Sequence, residues 1–253
     1  MFNIQTQKNT MKKLFMILTI IGLIAFSAQY AIAQTPGATT EVEQPVHQQL
    51  KVKFIEGGVG FMGIILVTLV LGLAIAIERI LYLNFATVNT EKLLKKVEEA
   101  LAVGGVEAAK DVCRNTRGPV ASILFQGLCY MDKGIETVEK TVVSYGSVQM
   151  SLLEKGLSWV QLFIALAPMI GFMGTVIGMI IAFDAIQEHG DISPNIVAGG
   201  MKFALITTVA GLVVAITLQM FYNYLLSKID SLVIAMEDAS ISFIDILVNY
   251  NNK

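Results

Sequence analysis

Three stretches without a single charged residue govern what this chain can become: Gly57 to Ile77, Gly156 to Phe183 and Phe203 to Ser227, of 21, 28 and 25 residues. An α-helix rises about 1.5 Å per residue, so about 20 apolar residues cross the hydrocarbon core of a bilayer. Every run is long enough, and every run is bounded by charge: Glu78 and Arg79 after the first, Lys155 and Asp184 around the second, Lys202 and Lys228 around the third. Only 15% of the 253 residues are charged, against about 25% in an ordinary soluble domain. The expected fold class is an all-α integral membrane protein with three mature transmembrane helices, at 57–77, 156–183 and 203–227.

A fourth uncharged stretch has another meaning. Lys12 and Lys13 precede a run of about 13 apolar residues from Leu14 to Phe26, followed by the small-residue site Ala31, Ile32 and Ala33. This is the pattern of a secretory signal peptide over 1–33, cleaved or retained as an anchor, with Met11 as an alternative start. Residues 34–56, with Pro36, Pro45 and several glutamines, read as a short exported tail. The segment 78–155 holds ten Lys and Arg, whereas 184–202 holds a single Lys. Lys and Arg concentrate on the cytoplasmic side of a membrane. The N-terminus of the mature chain is therefore expected in the periplasm, 78–155 in the cytoplasm, 184–202 outside again and 228–253 back in the cytoplasm. The formal net charge of −2 lacks the basic excess of a nucleic-acid binder, so membrane lipid and not nucleic acid is the expected surroundings.

Outside the spans the apolar residues keep helical spacing. Leu93, Leu94, Val97 and Leu101 share one face of a helix that Thr90 is expected to cap and Gly104 and Gly105 to stop. A second helix is expected over Val106 to Asn115, a break at Gly118 and Pro119, and a third helix over Val120 to Met131 before Gly134. From Ile135 the pattern runs on into the second span, which predicts one long helix. Leu225, Ile229, Leu232, Met236, Ala239, Phe243 and Ile246 recur at steps of four and three, the seam of a helical bundle. A helix from Asn195 to Asn249 would be on the order of 80 Å long, well beyond a core of about 30 Å. The second and third spans are thus expected to extend into a cytoplasmic helical bundle, with the seam packed either on the same chain or on an identical subunit.

Gly171, Thr175, Gly178 and Ala182 stack on one face of the second span, with Gly174 beside them. Ala204, Thr208, Gly211, Ala215 and Gln219 stack on one face of the third. Small residues mark close helix approach in lipid. Two such stripes, each with a threonine, fit either plain packing or a polar-lined lumen. Within the three runs there is no Asp, Glu, Lys, Arg or His. Proton relays through membranes use titratable side chains, and a threonine hydroxyl holds water without titrating near neutral pH. Any proton passing here needs a carrier group from another polypeptide.

Catalytic signatures are missing: there is no H-E-x-x-H, G-x-S-x-G or P-loop. An enzyme is not expected, nor a catalytic residue, a metal or a cofactor. His47 and His189 are far apart in sequence, and Cys113 and Cys129 lack metal-site spacing and read as a reduced, structural pair. Asp184, at the mouth of the second span, is a minor candidate for drawing cations to an entrance.

The segments Pro168 to Gly178 (PMIGFMGTVIG) and Ala204 to Ile216 (ALITTVAGLVVAI), in this order and topology, resemble the paired signatures of the MotA/TolQ/ExbB proton channel family, nearest its ExbB members. The resemblance takes in Glu78 and Arg79 and the sequence Phe221, Tyr222, Asn223 as well. It implies a homopentamer in the bacterial inner membrane, with the second and third helices around a central pore. It also implies an ExbD-like single-span partner that presents a membrane aspartate in that pore, and a TonB-like protein that passes the work to outer-membrane transport. The family's pore threonines map to Thr175 and Thr208, with Thr207 adjacent, while Gly171, Gly174, Gly178, Gly211, Ala204 and Ala215 would pack the pore wall. A TolQ-like or MotA-like stator, for envelope integrity or motility, and a non-conducting membrane scaffold are the alternatives. One position departs from the pattern: Phe203 stands where ExbB proteins carry a glutamate, with Lys202 before it, either pairing with an acid or marking the outer interface.

Overall fold

The computed structural model describes residues 46–189 and 194–251. The expected signal peptide over 1–33, most of the tail over 34–56 and the middle of the connection over 184–202 lie outside the described residues. The compact unit Val52–Lys253 carries the site described below.

The described elements are all helical: α1 (Val46–Glu56), α2 (Val59–Ala86), α3 (Thr90–Arg114), α4 (Pro119–Cys129), a 3₁₀ turn (Met131–Lys133), α5 (Ile135–Glu154), α6 (Leu157–His189) and α7 (Pro194–Asn251). Among the described residues three helical stretches are long and apolar enough to cross a membrane, and they take in the three uncharged runs apart from Gly57 and Gly58, which precede the first. This is an all-α, multi-pass membrane protein.

Local chemistry explains the boundaries, including those that differ from expectation. Asn89 and not Thr90 caps α3, because its Oδ1 accepts the Lys92 backbone N–H at 3.0 Å. The helical path breaks at Gly105, which stands at φ +68° in a non-helical conformation, as expected for the Gly104 and Gly105 stop, and helix resumes from there to Arg114, so α3 is two helical pieces joined at a kink. Pro119 opens α4 directly after Gly118, which stands at φ +113°. The expected continuous helix from Ile135 into the second span is broken. Lys155 turns out at ψ 127°, Gly156 takes φ +89°, and α6 begins afresh at Leu157. The cause lies on α2: a Cβ at Gly156 would stand 3.0 Å from Arg79 Nε. The guanidinium occupies that space, so the chain bends around it where only glycine is comfortable.

α7 is a single helix of 58 residues, on the order of 85 Å long. Its lower half carries the larger core. Leu225, Ile229, Leu232, Met236, Ala239 and Phe243 are buried against α3, α4 and α5 of the same chain, with Leu83 and Leu157 in the same cluster. The seam therefore packs on its own chain. It closes at Leu247, whereas Ile246 is only partly buried. At 3.6 residues per turn a stripe drifts off a strict seven-residue repeat, and a second step of four follows. A smaller cluster, Ile65, Ala167, Val214, Ala215 and Leu218, joins α2, α6 and α7 within the spans.

Candidate functional site in the paired helices

α6 and α7 run antiparallel and make the most extensive contact in the molecule. The small-residue stripes supply it. A Cβ at Gly211 would stand 2.5 Å from the Ala167 carbonyl oxygen and 3.2 Å from Gly171 Cα. One at Gly171 would stand 3.0 Å from the Thr207 carbonyl oxygen and 3.1 Å from Thr208 Cα. These neighbours are backbone, which cannot swing aside, so the helices approach as closely as they do only because side chains are missing. Gly174 accommodates the Thr207 side chain, and Gly178 lies against Gly200, Phe203 and Ala204. Ala204 is buried in the same contact, while Ala215 faces the cluster shared with α2.

The threonines fall into two kinds. Thr207 is fully buried, and its hydroxyl donates to the Ala204 carbonyl of its own helix at 2.8 Å. It fills the space opposite Gly174 and offers nothing outward. Thr208, one residue on, is half-buried; its hydroxyl donates across the interface to the Gly171 carbonyl at 3.2 Å and to the Ala204 carbonyl at 3.3 Å. Thr175 is half-buried and donates to the Phe172 carbonyl. Thr208 and Thr175 therefore keep oxygen lone pairs at the edge of the helix pair, where a water could be held.

Two polar residues further along α7 extend this edge. Gln219 lies eleven residues, about three turns, beyond Thr208 and so shares its face. Its Nε2 donates to Asn223 Oδ1 at 3.0 Å, and both side chains are exposed. Sequence reasoning placed Gln219 on the stripe but missed this pairing, although an amide pair four residues apart in an uncharged run is a readable signal. Thr68 of α2 was missed too; it is buried, with its hydroxyl on the Ile64 carbonyl.

Charge gathers at the end of the spans where α1 meets α7. Lys202 Nζ lies 2.6 Å from Glu56 Oε1, and Lys53 Nζ lies 2.9 Å from Glu56 Oε2. Of the two roles open to Lys202, the structure shows pairing. Hydrogen bonds from Lys202 first and Lys53 second hold the Glu56 carboxyl below its ordinary range. Phe203 turns inward, packing edge-on against Phe61 at 6.0 Å between ring centres. Asp184 is exposed at the end of α6. Away from the spans, Cys113 is buried in the bundle and its thiol is pushed up to about 12 by that burial, whereas Cys129 is exposed. Among the described residues, no three His, Cys, Asp or Glu side chains gather to hold a metal ion.

The sequence is similar to those of known proteins. The profile of the MotA/TolQ/ExbB proton channel family matches residues 115–238, taking in both motif helices and leaving out α2. A biopolymer transport protein ExbB homolog of Methanothermobacter thermautotrophicus is 34% identical over 160 residues, 63% of this chain, and the chain spans 57% of that relative's length. The biopolymer transport protein ExbB-like 3 of Synechocystis is 27% identical over 155 residues, covering 60% of this chain and 74% of its own. The biopolymer transport protein ExbB of Aquifex aeolicus is 30% identical over 118 residues, covering 44% of this chain and 80% of its own. With glycine-mediated α6–α7 packing and the paired motifs in place, the chain belongs to the MotA/TolQ/ExbB proton channel family.

Proposed function

We propose that this chain is the ExbB-like proton-channel subunit of an inner-membrane complex that couples the proton gradient to TonB-dependent outer-membrane transport, and that it is not an enzyme. The observation that carries the reading is the combination in α6 and α7: hydroxyls at Thr175 and Thr208 on the edge of a glycine-packed pair, with no Asp, Glu, Lys, Arg or His in any uncharged run. Such a wall can hold water but cannot carry a proton. An ExbD-like single-span partner would bring the aspartate, and about 2.3 kcal/mol per charge per 100 mV of potential would drive its protonation cycle.

In this reading Thr208 and Thr175 hydrate the partner's carboxylate, Gln219 and Asn223 continue the polar edge, and Thr207 locks the helices from behind. Five copies would surround the partner. The outward apolar side chains of the spans, Met169, Phe172 and Val213 among them, would then face lipid or a neighbouring subunit. The N-terminus would be periplasmic and the bundle cytoplasmic, a reading that the Lys and Arg distribution supports.

The test is proton flux into liposomes that hold the purified chain with its single-span partner. Thr208→Val and Thr175→Val should each lower partner-dependent flux at least about tenfold while the complex still assembles, because Thr208 loses one interhelical hydrogen bond, which in a membrane averages only about 0.6 kcal/mol, and Thr175 loses a bond within its own helix. Undiminished flux in both variants removes these threonines from the pathway. No partner-dependent flux in the parent chain would favour a non-conducting scaffold. A TolQ-like or MotA-like stator role would conduct equally, and the gene beside this one separates those uses.

A further inference from the structure

The lower half of α7 has a second face, turned away from the bundle. Ile234 is 59% exposed and Ile241 66%, seven residues apart on a part of the helix that lies beyond the last uncharged run. One exposed isoleucine is ordinary. Two in register, with acids beside them, have the pattern of a helix seam that lacks its partner. The acids are Asp230, Glu237, Asp238 and Asp245, all exposed. None of these carboxylates forms an ion pair among the described residues. From residue 228 to 251 α7 carries a single base, Lys228, which is half-buried. Against it stand the four acids and the partial negative charge of the helix C-terminus. The face is negative by that count.

It also continues the polar edge of the spans. Asp230 lies seven residues beyond Asn223, and Glu237 seven beyond Asp230, while Gln219 precedes Asn223 by four and Thr208 precedes Gln219 by eleven. Steps of four, seven and eleven return to one side of a helix. A single-span helix lying along Thr208, Gln219 and Asn223 would therefore leave the membrane beside Asp230. Its cytoplasmic flank concentrates Lys and Arg within about 15–20 residues of the span, by the same rule that orients this chain. As a helix such a flank is about 22–30 Å long, and Asp230 to Val248 covers about 27 Å of α7. Charge, length and position agree. A second copy of this chain fits less well, because the exposed lysines of α3, Lys92, Lys95 and Lys96, alternate with exposed Glu91, Glu98 and Glu99 and leave that surface neutral.

We propose that the outer face of α7 below the spans docks the cytoplasmic flank of the single-span partner, a basic amphipathic segment. Its Lys or Arg side chains meet Asp230, Glu237, Asp238 and Asp245, and its apolar side chains cover Ile234 and Ile241. The proposal rests on the proton-channel reading, from which it takes the partner. The dock holds the cytoplasmic end of that partner against α7 and rejects an acidic flank by like charge.

The full chain is expressed in membranes together with its single-span partner, with p-benzoylphenylalanine replacing Ile241. A second reporter replaces Leu212, exposed within the span four residues beyond Thr208. Irradiation at position 241 should join the chain to a basic peptide of the partner's cytoplasmic flank, identified by mass spectrometry, and at position 212 to the partner's span. An exposed ion pair is worth about twofold, so Asp230→Asn, Glu237→Gln, Asp238→Asn and Asp245→Asn together should lower the ratio of docked to free flank about sixteenfold. The adduct at 241 should fall accordingly while that at 212 persists, which shows that the complex still assembles. Glu98→Gln with Glu99→Gln, exposed on α3, should change neither. An adduct at 241 with a second copy of the chain or with lipid overturns the proposal, as does a partner adduct there that survives loss of all four acids. Partner capture at 212 without capture at 241 overturns the dock and leaves the proton-channel reading standing. No partner adduct at either position overturns both.

Discussion

The two halves of α7 hold their neighbours by opposite means. Its lower half buries large side chains, with Phe243, Leu225, Ile229 and Leu247 fully enclosed among α3, α4 and α5. Its upper half, against α6, buries Gly211, Ala204 and Thr207 and leaves Leu205, Val209 and Ile216 pointing outward. The reversal follows from the solvent. In water, apolar area removed is worth about 25 cal/mol per Å², so bulky residues go inside. In lipid that drive between helices vanishes, and close backbone approach with an interhelical hydrogen bond takes its place. One helix thus reads its surroundings twice along its length.

Removing bulk from the lower half should have the largest effect. Phe243 is wholly buried and lies over Gly127 and beside Val142. Phe243→Ala should destabilise the bundle by about 3–5 kcal/mol, the range for emptying a packed aromatic site. Far-UV circular dichroism of the purified protein through a thermal ramp reads this directly. The same truncation on the outward face of the spans, Leu205→Ala, should change little, and comparable losses at the two sites would break the contrast.

Adding bulk to the upper half comes next. Gly211→Ala forces a methyl to within 2.5 Å of the Ala167 carbonyl unless the helices part. A loss of about 1–3 kcal/mol is expected, as for overpacking in general. Gly199→Ala is the control, since nothing lies within 4 Å of its added methyl, and it should be neutral or slightly stabilising because alanine favours helix. Thermal midpoints followed by Trp159 fluorescence compare the two. Equal behaviour would mean that the glycines of α7 do not set the approach.

How much of this was readable beforehand depends on how far the cause lies from the residue. The uncharged runs and the seam from Leu225 to Phe243 were legible because charge and periodicity are local. The stripes were legible for the same reason, yet they could not separate Thr207 from Thr208. Neighbours on a helix differ by about 100° in direction, and only the position of Gly174 decides which one is buried. The bend at Gly156 was missed because its cause, Arg79, sits 77 positions earlier, and a lone glycine in an apolar pattern usually stays helical. The partner of Lys202 was equally hidden: Glu56 lies 146 positions away, and a surface lysine carries no mark of the acid it meets.

That ion pair marks the end of the spans opposite the bundle, and it sharpens the comparison with the smallest expected effect. Glu56 bonds Lys202 of α7 and Lys53 of its own helix, and its carboxyl is held below 4.5, Lys202 contributing most. A carboxylate whose folded value is depressed stabilises the fold above its unfolded value, and that contribution is lost as pH falls through the lower folded value. Docking of the Glu56 end of α1 on α7 should therefore be intact above about pH 4.5 and loosen below it, while the apolar bundle, which has no such pair at its centre, should not respond over that window. Lys202→Met should move the Glu56 titration part of the way back toward 4.5, with Lys53 holding the remainder. Carbon-13 NMR of labelled glutamate side chains in detergent micelles follows that carboxyl directly. An unchanged titration in Lys202→Met would mean that the contact inside α1 alone sets the carboxylate, and that the ion pair does not tie the head of α7 to α1.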